Sequence, residues 1–165
     1  MMTGEQERRR AWQDFLYTYK VVLGDLERRM MEESGFPLTW YDILAALHQE
    51  PERRLRLQAL ADSIMLSRSG LTRLVDRMAE AGLIRREPCS TDRRGAYAVL
   101  TADGEAAFQR VAPDHRRRVR EHFLGLLDDA DVGALRAALG KVLAAAGHAE
   151  RAYDAPGERE AALAG

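Results

Sequence analysis

The stretch from Leu57 to Gly82 leaves this chain little freedom in its fold. Leu57, Leu60, Ala61 and Ile64 recur at three- and four-residue steps and predict a short helix. Ser67 offers a fresh N-cap, and Arg68 to Ala81 reads as a longer helix closed by Gly82. Leu71, Leu74, Val75 and Met78 share one face of it. Small Ala61 stands ten residues before Leu71 and thirteen before Leu74. A small residue lets two helices cross closely while the leucines hold the second one down, a spacing typical of helix-turn-helix units. Met65 stands where simpler turns of this kind carry glycine, so a different turn is expected.

The flanks extend the pattern. Leu83 to Glu87 predicts a strand, Pro88 to Gly95 a charged hairpin loop, and Tyr97 to Leu100 the return strand. Upstream, Trp12, Phe15, Leu16, Tyr19, Val22, Leu23, Leu26 and Met30 predict one long helix from Glu7 to about Glu33, ended by Ser34-Gly35-Phe36-Pro37. Thr39 is expected to cap a second helix carrying Tyr41, Ile43, Leu44 and Leu47, which stops before Pro51 and a charged turn at Glu52-Arg53-Arg54. Downstream, Thr101 starts a helix with Phe108, Val111, Val119, Phe123, Leu126 and Leu127 on its stripe and a kink or break at Pro113. Asp131 is expected to precede a last helix with Val132, Leu135, Leu139, Val142 and Leu143, and residues from about 148 read as a frayed tail. The fold class is therefore mainly α with a small β-hairpin wing. Residues 37–102 form a winged helix-turn-helix lobe, and 1–36 with 103–147 form a helical lobe whose apolar faces call for a second copy of the chain.

The chemistry of the middle segment points to DNA. Arg68, Ser69, Thr72, Arg73 and Arg77 fall opposite the apolar face of their helix. Arginine grips guanine O6 and N7 bidentately, serine and threonine reach phosphates or base edges, and the first helical turn, capped by Ser67, offers free N–H groups. At the wing, Arg93 and Arg94 suit a narrow minor groove, and Asp92 is expected to hold an arginine, Arg94 or Arg77. Between Glu52 and Gly95 ten arginines face six carboxylates, a local charge of +4 in a chain whose net charge is -1.

These residues resemble the MarR family, the multiple-antibiotic-resistance type regulators. The likeness rests on Leu60-Ala61-Asp62, the run Leu66 to Met78, Gly82-Leu83-Ile84-Arg85-Arg86, and Asp92-Arg93-Arg94 ahead of Val99-Leu100-Thr101, and spans about Pro37 to Gly104. It implies an obligate homodimer whose terminal helices interleave and whose two winged lobes read a pseudo-palindromic operator. It places the Arg68–Ala81 helix in the major groove and Arg94 in the minor groove. It also implies a repressor that releases DNA when a small aromatic or phenolic ligand binds between the lobes. Two alternatives are a regulator without an effector and a winged-helix module that binds protein.

Other signals are weaker. Trp12, Phe15, Tyr19, Trp40 and Tyr41, with Tyr17, are aromatic candidates for a ligand cavity or for dimer packing. His115 and His122 lie seven apart, but two histidines make an incomplete zinc site, so no metal is expected. The single cysteine, Cys89, rules out an intrachain disulfide and fits a reducing cytosol; nearby arginines would favour its thiolate. No glycine-rich phosphate loop, G-x-S-x-G, H-E-x-x-H or C-x-x-C occurs, so neither an enzyme nor a cofactor is expected. The polar, charged first ten residues and the short apolar run Val21-Val22-Leu23 predict a cytoplasmic protein that does not enter membranes.

Overall fold

The computed structural model describes residues 3–64, 66–89 and 92–148, without the side chains of Arg68, Asp92, Arg93 and Arg94. The expectations for Met65 and for residues 149–165 therefore lie outside the described residues.

Helix α1 (Gly4–Ser34) is longer at both ends than its apolar stripe predicts. Thr3 and Gln6 form a reciprocal capping box, with Thr3 N donating to Gln6 Oε1 at 2.9 Å. Gly35 ends the helix in the left-handed region at φ 63°, its N–H reaching Met31 O at 3.0 Å. Helix α2 (Leu38–Gln49) begins at Pro37, not at Thr39. The Pro37 carbonyl already accepts from Trp40 and Tyr41 N–H, so Thr39 sits inside the first turn and caps nothing.

The segment read as a charged turn contains a strand, β1 (Arg54–Arg56). It follows Arg53, whose φ of 54° makes it the sole non-glycine in the left-handed region among the described residues. Three residues are too few for alternation to show in sequence, and the strand exists because β3 supplies its partners: Arg54 opposite Val99, Leu55 opposite Ala98 and Arg56 opposite Tyr97.

Helices α3 (Leu57–Ser63) and α4 (Arg68–Glu80) form the expected pair. Ala61, 2% exposed, meets the buried side of α4, where Leu71, Val75 and Met78 are at 2%, 0% and 0%. Ser67 caps α4 by accepting from Gly70 N–H at 3.2 Å. Strands β2 (Ile84–Cys89) and β3 (Asp92–Leu100) complete an antiparallel sheet in the order β1-β3-β2. The eight-residue loop expected at Pro88–Gly95 is mostly ladder, with Pro88 opposite Ala96 and a register irregularity before Cys89. Backbone pairing overrides the polar composition that suggests a loop.

Helix α5 (Ala102–His122) starts at Thr101, whose Oγ1 accepts from Gly104 N–H at 3.0 Å. The same oxygen lies 2.7 and 2.9 Å from the carbonyls of Gly82 and Leu83, tying the base of the wing to the helix. A Cβ on Gly104 would stand 1.9 Å from the Leu83 carbonyl oxygen, so this contact needs glycine. Pro113 does not break α5. Burial on both sides of it, at Phe108, Val111 and Ala112 before and Arg118 after, holds the helix together despite one lost hydrogen bond. A short 3-10 turn (Leu124–Leu126) leads to helix α6 (Asp129–Ala145). Asp128 is its N-cap and Asp131 its N3 partner, so the helix opens three residues earlier than the sequence suggests.

One core joins these elements around α2, where Tyr41, Ile43, Leu44 and Leu47 are fully buried, and reaches Leu26 and Met30 of α1 and Phe108 of α5. The first half of α1 is exposed throughout, and α6 has no fully buried residue within the chain. No helix among the described residues is long and apolar enough to cross a membrane.

Candidate nucleic-acid interface

The side of α4 away from the core presents Ser69, Thr72, Arg73 and Arg77, all exposed. Its geometry follows from the buried side: once Leu71, Val75 and Met78 are fixed in the core, helical phase leaves the polar residues no other direction. Ser67 Oγ lies 3.4 Å from Ser69 Oγ, gathering two hydroxyls at the helix start. Among the described residues Arg73 makes no hydrogen bond or ion pair with a neighbour, so its charge is free for an outside acceptor. The guanidinium of Arg77 lies 5.9 Å from the Trp40 ring centre, a cation–π contact that orients it without cancelling its charge. Arg77 thus leans on an aromatic ring of α2. The side chains of Arg68, Arg93, Arg94 and their expected support Asp92 lie outside those described.

Other arginines of the basic segment are paired. Arg86 on β2 donates to Asp76 on α4 at 2.5 Å, fastening the reading helix to the wing. Arg85 and Arg54 share Glu87 at 2.7 and 3.3 Å. Such exposed pairs contribute at most about 1 kcal/mol each. They matter more for charge, because among the described side chains they leave Arg73 and Arg77 as the cations on α4 without a carboxylate.

Sequence reasoning missed a cluster on β1 and β3. Arg54 packs over the Tyr97 ring at 4.0 Å, and Arg56 Nε donates to Tyr97 Oη at 3.2 Å. The alternation Arg-Leu-Arg was the signal available, and it was hidden in a segment that looked like a turn.

The aromatic candidates for a ligand cavity separate into two groups. Tyr41 is fully buried, its ring stacked on Phe108 at 5.6 Å and on His115 at 4.0 Å. Trp40 meets Phe36 edge-on at 5.9 Å. Trp12, Phe15 and Tyr19, by contrast, are 60%, 46% and 59% exposed on the first half of α1. At about 1.5 Å per residue they lie roughly 10 to 20 Å along the helix from the buried Leu26. Within one chain they do not join Trp40 and Tyr41. A cleft of about 340 Å³ instead opens between α1 and α5, lined by Met30, Glu33, Ser34, Arg110, Asp114 and Arg118. There the buried Arg118 is paired with Glu33.

His115 and His122 take different partners. Burial, with Arg116 adding, pushes the His115 imidazole down to about 4, whereas His122 lies 4.0 Å from Asp25. Cys89 is buried at the irregularity in the wing.

Comparison with known proteins agrees with this geometry. The sequence matches the MarR family profile over residues 34–95, the helix-turn-helix and the wing. It is 33% identical over 103 residues to the HTH-type transcriptional regulator PecS of Dickeya dadantii, an alignment that takes in 62% of this chain and 61% of PecS, so the chain matches less than two thirds of that relative. Among solved structures it is similar to AbsC, a MarR family transcriptional regulator from Streptomyces coelicolor, at 35% identity and a TM-score of 0.78, over 86% of this chain and 94% of AbsC. It is also similar to Sco3205 of the same organism, a MarR family regulator solved in complex with DNA, at 28% identity and a TM-score of 0.75, covering 94% and 95% of the two chains. With the fold and the sequence both matched over nearly the whole of AbsC, this chain belongs to the MarR family.

Proposed function

We propose that the chain is a double-stranded-DNA-binding transcription regulator, a homodimeric repressor whose hold on a pseudo-palindromic operator is relieved by a small aromatic or phenolic ligand. The observation that carries this reading is the outward face of α4, where Arg73 and Arg77 stand exposed with no carboxylate partner among the described residues. A helix locked by its apolar side and cationic on the other fits the major groove, whose base edges arginine, serine and threonine can distinguish. The likeness to Sco3205, solved with DNA, supports the same reading.

In this reading Ser67, Arg68, Ser69, Thr72, Arg73 and Arg77 serve the major groove, and Arg93 and Arg94, with Asp92 as support, the minor groove. Residues 37–102 form the reading lobe, and 1–36 with 103–147 the dimerisation lobe. The exposed Trp12, Phe15 and Tyr19 on α1 give the second lobe a surface that a partner copy would cover. Ligand binding between the lobes would use the α1–α5 cleft or the aromatic groups near it, Trp40 and Tyr41 among them. The function is one of binding, exercised in the cytoplasm.

Selection of bound duplexes from random DNA tests the reading. A defined, inverted-repeat sequence should emerge, with binding that weakens steeply as salt rises. Arg73→Ala should cost about 1–3 kcal/mol and relax preference at one base pair of each half-site. Absence of DNA binding even at low salt would end the proposal.

A further inference from the structure

We propose that Trp40 is a positioning residue for DNA binding: its ring, set by Phe36 at the end of α1, holds the Arg77 guanidinium where a backbone phosphate can take it. The inference rests on the DNA-binding reading above and adds to it a dependence of α4 on the joint between α1 and α2.

Arg77 follows Arg73 by one helical turn on the same exposed face of α4 and lies in the last turn of that helix. A reading helix meets base edges with its N-terminal residues, so an arginine this far along stands towards the edge of the groove, among phosphates. A long side chain there gives up rotamer freedom on binding unless something already confines it. Among the described residues Arg77 pairs with no carboxylate, and the neighbouring Asp76 is taken by Arg86. What Arg77 does meet is the Trp40 ring, whose centre lies 5.9 Å from the guanidinium carbon. An aromatic face confines a cation without neutralising it.

The ring is itself held from α1. Phe36, 6% exposed, follows the left-handed Gly35 that ends α1, and meets Trp40 edge-on at 5.9 Å. A buried indole N–H ordinarily takes a hydrogen-bond partner. Trp40 Nε1 is buried and has none among the described residues, so packing alone fixes the angle of the ring. Met30, Glu33 and Ser34, at the same end of α1, line the α1–α5 cleft. A change in how α1 meets α2 therefore reaches Arg77 through two ring contacts, Phe36 to Trp40 and Trp40 to Arg77.

The test uses the full chain and a fluorescein-labelled duplex of mixed sequence, about 30 base pairs long to admit two half-sites, with anisotropy measured across a salt series. Arg77→Ala should weaken binding and lower the slope of log affinity against log salt by about 0.9 per bound protomer. Trp40→Leu should weaken binding roughly two- to fivefold yet keep the slope, because the charge stays. Trp40→Phe, which keeps an aromatic face, should bind nearly as well as the wild type. In an Arg77→Ala background Trp40→Leu should have no further effect. Phe36→Leu should weaken binding less, and add nothing to Trp40→Leu. Trp12→Phe leaves Trp40 as the sole tryptophan, and Arg77→Ala should then change its emission. Wild-type affinity in Trp40→Leu would overturn the proposal. So would unchanged emission, or a Trp40→Leu loss that persists undiminished in the Arg77→Ala background, the mark of a structural role. An additive Phe36→Leu loss would overturn the dependence on α1. If Trp40→Leu fails to fold, Trp40→Met is judged by the same cycle. Should Arg73→Ala weaken binding while Arg77→Ala does not, Trp40 has nothing to position and this proposal alone falls. Should the wild type not bind the duplex at low salt, the DNA-binding reading falls with it.

Discussion

Gly104 shows how much one missing carbon can decide. The first turn of α5 is pressed against the Leu83 carbonyl so closely that a Cβ would stand 1.9 Å from its oxygen. Backbone lies on both sides of that contact, so no side chain can swing away to relieve it. Gly104→Ala should therefore destabilise the fold by about 2–3 kcal/mol, although alanine ordinarily favours a helix. Chemical denaturation measures the loss, and an alanine variant as stable as the wild type would show that wing and α5 are not held as described. Two partly buried titratable groups, Asp42 on α2 and His115 on α5, make a second residue-scale case. Burial lowers His115 to about 4 from 6.5 and raises Asp42 to about 6 from 3.8. For His115 the unfolded chain binds the extra proton between those values, so its stabilising contribution is full above pH 6.5 and lost as pH falls towards 4. For Asp42 the folded chain binds the extra proton, so its contribution is full below pH 3.8 and lost as pH rises towards 6. Between pH 4 and 6 the two slopes oppose each other. Relative to wild type, His115→Gln should grow less stable as pH rises through this window, and Asp42→Asn more stable. Melting temperatures at half-unit pH steps would decide it; parallel curves for all three proteins would contradict both assignments.

At the scale of elements, what sequence could foretell follows from how local the signal is. Helix α4 was legible because cap, apolar face and closing glycine lie within one run, and its burial at Leu71, Val75 and Met78 matches the phase read from sequence. The core of α2 was legible for the same reason. Strand β1 was not, because three residues gain their identity only from Tyr97 to Val99, some forty residues later in the chain. The extended wing ladder was missed because polar residues at a hairpin look like loop until a partner strand is known. The site divides likewise: Ser69, Thr72, Arg73 and Arg77 were read from helical phase alone, whereas the lean of Arg77 on Trp40 and the Arg56–Tyr97 contact depend on tertiary placement. Pro113 suggests a kink or break, and the break does not occur. Its rule is sound, since proline removes a helical hydrogen bond, but burial along α5 outweighs the loss. That loss should be recoverable. Pro113→Ala restores the donor in an exposed position and should stabilise the chain by about 1–3 kcal/mol. Unchanged or lower stability would mean that proline sets a bend on which the packing of Val111 and Arg118 depends.

The whole molecule is lopsided in a way that bears on function. Its core serves the middle of the chain, while Trp12, Phe15 and Tyr19 on α1, Leu126 at 73% exposure and Val142 at 66% stand in water. A long helix with one end buried and the other bare is costly for a lone chain, because a helix gains most of its stability from packing. If two copies cover these surfaces, each brings one α4 to the same DNA. Joining two readers makes the second contact intramolecular, so the pair binds far more tightly than either alone. Charges placed on α6 should expose that dependence. Val142→Glu with Leu143→Glu leaves the chain's own core untouched, since both side chains are exposed within it at 66% and 40%. The double variant should sediment as a monomer, keep the melting transition of the middle lobe, and bind a two-half-site duplex at least tenfold more weakly with a shallower salt dependence. Arg73→Ala, in contrast, should stay dimeric while losing affinity. A monomeric double variant that grips DNA as tightly as the wild type would mean that one winged lobe suffices, and that the bare helices serve another purpose.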